Sequence, residues 1–233
     1  MHFDPKRDSF LNPMRTQLLD LYTKQAKAFV AVRQKLGQGN RGGPFLPAPH
    51  EAYASQPRPL LIVGQETNGW GEHLDDIAAQ MAVYDGFAVG QRYNAKPFWN
   101  MTRQVERLLG HAPHSCAWAN LSRFDIEGKR AQGEQAAVIA TLDHLLLDEV
   151  RILTPKVCLF YTGPELDHRL QSVFTGLTYY PVDGYTPRQF ARLSHPALPL
   201  LSFRTYHPRY LRQSRMEAGV LATLARLTQA EPV

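Results

Sequence analysis

The stretch from Leu60 to Trp70, LLIVGQETNGW, opens with four consecutive apolar residues and breaks at Gly64 into a polar turn. An apolar run too short for a helix and bounded by glycine is the signature of a strand buried on both faces. Short apolar runs of this kind recur downstream, alternating with helical patterns. Helices are expected around Glu72–Tyr84 and over Pro97–Leu109, the latter opened by proline and closed by Gly110. Cys116–Leu121 reads as a second strand. Glu134–Val150 reads as one amphipathic helix, with Val138, Leu142, Leu145, Leu146 and Val150 on one side. Val157–Tyr161 reads as a third strand and Pro164–Val173 as a short helix. Leu177–Val182 and Leu198–Tyr206 add strand material, and a last helix starts at Pro208. Alternating strands and helices predict an α/β fold with a mostly parallel sheet covered on both faces.

Upstream of Leu60, an apolar face of Leu18, Leu21, Tyr22, Phe29, Val32 and Leu36 predicts a helix. Asn12 serves as its cap, Pro13 as its first residue and Gly37 as its stop. The Gly/Pro-rich segment 37–59 reads as irregular: a linker, or a functional loop that closes over a ligand. One α/β domain over residues 1–233 is expected. Residues 1–59 form its N-terminal helical extension and loop, and 60–233 its core.

Composition narrows the classes. The 233 residues are 44% hydrophobic and 20% charged, which excludes global disorder and collagen-like architecture. No apolar run reaches the roughly eighteen residues of a membrane span, so no membrane partner is expected. The start, MHFDPKRDSF, has no apolar core behind its charges, so no secretory signal is expected and the protein reads as cytoplasmic. Two cysteines, Cys116 and Cys158, are too few for a disulfide framework, a four-cysteine cluster or a cysteine zinc finger. His111 and His114 lack a completing ligand set, so no metal and no cofactor are expected. Net charge is +5, from 26 Lys+Arg against 21 Asp+Glu. Arg204, Arg209, Arg212, Arg215 and Arg226 crowd the C-terminal stretch against the single acid Glu217, a pattern compatible with a DNA partner.

Ligands of parallel sheets bind at the carboxyl ends of the strands, so the residues just after each apolar run are the candidates. Gln65, Glu66 and Asn68 stand after the first strand, and Asn120 at the end of the second. His207, Arg209, Tyr210, Leu211 and Arg212 stand after the last. These motifs resemble the uracil-DNA glycosylase superfamily. VGQETNGW matches a first motif of the G-Q-D-P-Y type, and TYHPRYLR matches a last motif of H-P followed by a wedge loop, in the form of the bacterial thermophilic branch. The resemblance spans Leu60 to about Arg215. It implies a three-layer α/β/α fold with a central four-stranded sheet, and a monofunctional glycosylase that flips a nucleotide and leaves an abasic site.

Carried onto this chain, the resemblance makes Glu66 the carboxylate that stabilises an oxocarbenium-like sugar and orients water, and His207 the donor to the departing base. Asn120 offers donor and acceptor to a pyrimidine edge. Gln65, Asn68, Phe98 and Trp99 complete the base pocket, with Trp70 and Trp118 as further walls. Leu211 takes the position of the intercalating residue, flanked by Arg209, Tyr210, Arg212 and Arg215 as DNA contacts. Each residue has a structural alternative: a turn-capping Glu66, a helix-capping His207, core aromatics, a solvated basic turn. Asn68 stands where uracil-specific members carry a tyrosine that collides with a 5-methyl group, Glu66 replaces Asp, and Thr67 replaces Pro. The thermophilic branch's four cluster cysteines are missing. An open C5 side suits a 5-modified pyrimidine such as the glucosylated hydroxymethylcytosine of phage DNA, as removed by defence members of the superfamily. Uracil excision in repair, a non-catalytic DNA-binding module and a small-molecule nucleoside hydrolase are the alternatives. A monomer is expected.

Overall fold

The computed structural model describes residues 13–39 and 41–230. Asn12, the expected helix cap, lies outside them. Helix α1 (Pro13–Lys35) buries Leu18, Tyr22, Phe29 and Val32, and Gly37 ends it in a left-handed conformation (φ 73°) that costs glycine nothing. A two-residue strand β1 (Arg41–Gly42) and a single helical turn α2 (Glu51–Ala54) follow. The core then runs β2 (Leu60–Gly64), α3 (Ile77–Phe87), α4 (Pro97–Leu108), β3 (Ala117–Asn120), β4 (Asp125–Ile126), α5 (Gly133–Ala140), α6 (Leu145–Leu153), β5 (Val157–Phe160), α7 (Asp167–Val173), β6 (Thr178–Pro181), β7 (Phe190–Ser194), β8 (Leu201–Thr205), α8 (Pro208–Gln213) and α9 (Glu217–Ala230).

The central sheet has the order β3-β2-β5-β8-β7-β6. The strands β3, β2, β5 and β8 run parallel, and β7 and β6 extend the sheet antiparallel. Six strands thus stand where the resemblance implied four, the additions being β6, which falls on expected strand material, and β7. The strand not read from the sequence is Phe190–Ser194, whose alternation is broken by Arg192 and whose end abuts the His195-Pro196 turn. Helices cover both sides: α1 packs with α3, α5 and α6, whereas α4 packs with α8 and α9. One cluster of buried side chains runs from Leu18 to Leu224. The chain leaves β2 toward β3 and then returns past it to β5, so the strand order reverses at β2. Ligand sites of open α/β sheets lie at such a point.

Three expectations are corrected. The segment 37–59 is neither a linker nor a free lid, because residues 42–49 are buried. Phe45 N–H donates to the Arg123 carbonyl at 2.7 Å, and Arg123 Nη1 returns a bond to the Phe45 carbonyl. Proline and glycine here serve a strap threaded through the core. The helix expected over Glu134–Val150 is two helices, parted at Thr141–His144, and Glu149 of the second is fully buried. The C-terminal helix is likewise split, by Arg215 at φ 60°.

Candidate active site

At the carboxyl end of β2 the backbone makes a close approach that admits no side chain. A Cβ on Gly64 would lie 2.3 Å from Asn120 Oδ1 and 3.3 Å from both Phe98 Cε2 and Trp118 Nε1. Glycine therefore lets β2, β3 and the start of α4 converge. Beyond it, Ser122 N–H donates to the Gln65 carbonyl at 2.8 Å. Gln65 Nε2 donates to the Thr162 carbonyl at 2.7 Å, joining the β2 and β5 ends. Buried Asp125 accepts from Thr67 Oγ1 at 2.6 Å and Gly69 N–H at 3.0 Å, which fixes the rest of the turn.

This turn forms one wall of a cavity of about 500 Å³. Gln65, Glu66, Asn68 and Trp70 line it from the β2 side, Phe87 from the end of α3, Tyr93 and Lys96 from the segment after it, and Phe98 and Trp99 from α4. Trp118 adds a wall from β3, and His207 and Arg209 close it from the β8–α8 junction. Of the residues expected from sequence, Glu66, His207, Gln65, Asn68, Phe98, Trp99, Trp70, Trp118 and Arg209 thus meet around one space. Edge-to-face contacts join Trp118 to Trp70 (5.6 Å), Trp99 (5.0 Å) and Phe98 (6.0 Å), and Phe45 of the strap backs Trp118 at 4.5 Å. The volume lies within the roughly 300–1,000 Å³ of small-molecule sites.

The two titratable groups are tuned by burial. It raises the Glu66 carboxyl above its ordinary pKa, and the Arg130 guanidinium, with Nε 3.5 Å from Glu66 Oε2, opposes that rise. Burial pushes His207 down to about 4, aided by the positive charges of Arg130 and Arg209. His207 Nδ1 accepts the Arg209 backbone N–H at 3.2 Å. A neutral ring accepting at Nδ1 carries its proton on Nε2, so Nε2–H is the donor this histidine has to offer. The cap occupies Nδ1 and not Nε2.

Several expected residues stand elsewhere or otherwise. Asn120 is fully buried behind the wall, its Oδ1 accepting from Trp118 Nε1 at 3.1 Å and its Nδ2 without a partner among the described residues. Leu211 is a correction. It is fully buried in the core, because the first turn of α8 directs it inward, so it does not project as a wedge. The exposed large side chain of that turn is Tyr210, its ring 4.6 Å from Tyr206. Arg212 is engaged by Glu217 at 2.8 Å and by Asn100 at 2.8 Å. Arg215 is exposed at the turn between α8 and α9.

Sequence reasoning missed Arg130, whose Nη2 also donates to Gln65 Oε1, and the wall residues Phe87, Tyr93 and Lys96. The Glu127-Gly128 pair ahead of Arg130 is a legible turn signal, but nothing in it says that the turn leans on Glu66. Buried polar atoms without a hydrogen-bond partner among the described residues also gather here: Glu66 Oε2, Trp70 Nε1, Asn120 Nδ2 and Thr162 Oγ1. Native interiors rarely leave such groups unpaired. Among the described residues no cluster of His, Cys, Asp and Glu could hold a metal, and no helix is long and apolar enough to cross a membrane.

Fold and cavity together define an α/β protein with a small-molecule-sized, aromatic-walled site at the reversal of its strand order. No model of a known protein family matches the chain, and no curated protein matches it in sequence.

Proposed function

We propose that the protein is a monofunctional DNA glycosylase that hydrolyses the N-glycosidic bond of a flipped, 5-modified pyrimidine. The observation that carries the reading is a desolvated carboxylate and a neutral histidine facing the same aromatic cavity, Glu66 from one strand end and His207 from another. In the proposed reaction the C1′–N bond breaks and its electron pair leaves with the base. The Nε2–H of His207 donates to the carbonyl oxygen on which that charge collects. Glu66, ionised, stabilises the cationic sugar and orients a water, whose oxygen bonds to C1′ and whose proton passes to the carboxylate. Trp118, Phe98 and Trp99 supply flat apolar walls for an extruded base, and Lys96 and Arg209 set positive charge beside the cavity for the phosphodiester.

The resemblance to uracil-DNA glycosylases supports the same assignment. Asn68 is exposed on the lining, at the position where uracil-specific members carry their excluding tyrosine. That favours a base bearing a bulky C5 group, such as glucosylated hydroxymethylcytosine. The test is abasic-site formation on DNAs carrying uracil, mismatched thymine, 5-hydroxymethylcytosine or its glucosylated form, with Glu66→Gln and His207→Ala as controls. Release from the glucosylated DNA, lost in both variants, is the expected result. Release from uracil alone overturns the substrate assignment. Salt-sensitive binding without release from any DNA points instead to a non-catalytic DNA-binding module.

A further inference from the structure

The hairpin that follows β4 enters the site from the side. Its turn residues Glu127 (φ 53°) and Gly128 (φ 70°) are both left-handed. Ile126 and Lys129, on either side, exchange two backbone hydrogen bonds at 2.9 Å. This is the tight two-residue turn that requires positive φ at both positions. Asp125 fastens it to the β2 turn, accepting from Gly128 N–H at 2.8 Å while holding Thr67 and Gly69. A Cβ on Gly128 would lie 2.5 Å from Asn68 Oδ1, so the two turns lie flush. Arg130, directly after the hairpin, reaches back with Nη2 on Gln65 Oε1 and Nε 3.5 Å from Glu66 Oε2.

We propose that Arg130 is a positioning residue of the hydrolytic site, gripping Gln65 and Glu66 together so that the carboxylate keeps its direction and its charge. The inference rests on the glycosylase reading for its role in catalysis, though not for the contact itself. The charged groups acting on Glu66 are Arg130, Arg169 and Asp125, and those acting on His207 are Arg130 and Arg209; Lys96 also lines the cavity. Arg169 is engaged by Asp143, with its Nε at 2.7 Å, and by Ser122 at 3.0 Å. Asp125 is spent on the turn. Arg130 is therefore the cation in contact with the carboxylate and the one shared by both catalytic groups. It opposes protonation of Glu66 and of His207 alike, which favours the pair of states the reaction needs.

The experiment is a carbon NMR titration of the Glu66 carboxyl and the His207 ring in the wild type, Arg130→Gln and Arg130→Lys, beside single-turnover excision against pH. In Arg130→Gln both midpoints are expected to rise, by about one pH unit for Glu66, and the acid limb of the excision rate to move up with them. Arg130→Lys, which keeps the charge, is expected to restore most of the shift. Unchanged midpoints in Arg130→Gln overturn the proposal, as does a lysine variant that behaves like the glutamine one. Shifted midpoints with no excision from any DNA by the wild type overturn the glycosylase reading and leave the Arg130 contact standing.

Discussion

Burial acts on the two candidate catalytic groups in opposite senses on the pH axis, raising the Glu66 carboxyl and lowering the His207 imidazole to about 4. Both shifts favour the neutral form, yet the proposed reaction needs Glu66 ionised, so the acid limb of activity belongs to Glu66 and lies above the ordinary carboxylate range. Excision measured from pH 4 to 8 should rise through that limb and then stay level, because His207 is already neutral there. Glu66→Gln should lower the rate by about a hundredfold or more, and His207→Ala by roughly the same, as loss of one donor to a developing anion does. The histidine also leaves a mark on stability. The unfolded chain takes up a proton near pH 6.5 and the folded chain only near 4, so between those values protons favour the unfolded state and stability falls as the pH drops. Urea unfolding at pH 7.5 and 4.5 should show the wild type losing on the order of 2–3 kcal/mol more than His207→Gln across that window. Equal losses would show that the ring is not desolvated. Strand-end placement brought both residues to one edge in the sequence, because a parallel sheet sends the end of each apolar run to the same edge, and the resemblance singled them out there. Protonation states were not legible there, since they depend on what buries each group.

The first turn of α8 shows how an element redistributes roles that a motif assigns by position. In PRYLRQ the sequence marks Leu211 as the apolar wedge, but an apolar residue at the third or fourth place of an amphipathic turn faces the core as readily as the ligand. Leu211 is buried, and the exposed ring beside His207 and Arg209 is Tyr210, half exposed and packed on Tyr206. If an element of this protein fills the gap left by an extruded nucleotide, Tyr210 is the side chain placed to do it. Tyr210→Ala should lower excision from duplex DNA roughly tenfold, the scale of one lost base–aromatic stack, while leaving single-stranded DNA nearly unaffected. Tyr210→Phe should retain duplex activity. An equal loss on both substrates would assign Tyr210 to the pocket rather than to the duplex. Gly64 makes the complementary point at β2. The sequence offered it as a strand terminator, whereas its further requirement, a Cα with Asn120 Oδ1 where a Cβ would stand, exists only once β3 is paired beside it.

Across the whole molecule, the cavity edge and the N-terminal helix are coupled through buried charge. Arg123, just beyond β3, makes two hydrogen bonds of 2.7 Å to Glu149 of α6. Glu149 also accepts the Tyr22 hydroxyl of α1 at 2.7 Å, and all three side chains are fully buried. The same arginine holds the Phe45 carbonyl of the strap, and Phe45 packs on Trp70 and Trp118 of the cavity wall. The fold class was legible because strand and helix periods alternate along the chain. This clamp was not, because Arg123 in a loop and Glu149 beside Val150 read as surface residues until three distant segments close around them. A buried ion pair of this kind contributes little against an apolar replacement, but breaking it strands a charge at a cost of about 3–5 kcal/mol. Glu149→Ala should therefore lower the urea midpoint by that equivalent, and Tyr22→Phe by about 1 kcal/mol, the worth of one hydrogen bond. The double variant Arg123→Met/Glu149→Leu should recover most of the loss. If the strap carries its position to the wall through Phe45, that double variant will fold stably yet show altered quenching of Trp70 and Trp118 and weaker substrate affinity. A double variant with native fluorescence and affinity would confine the clamp to holding α1 on the core.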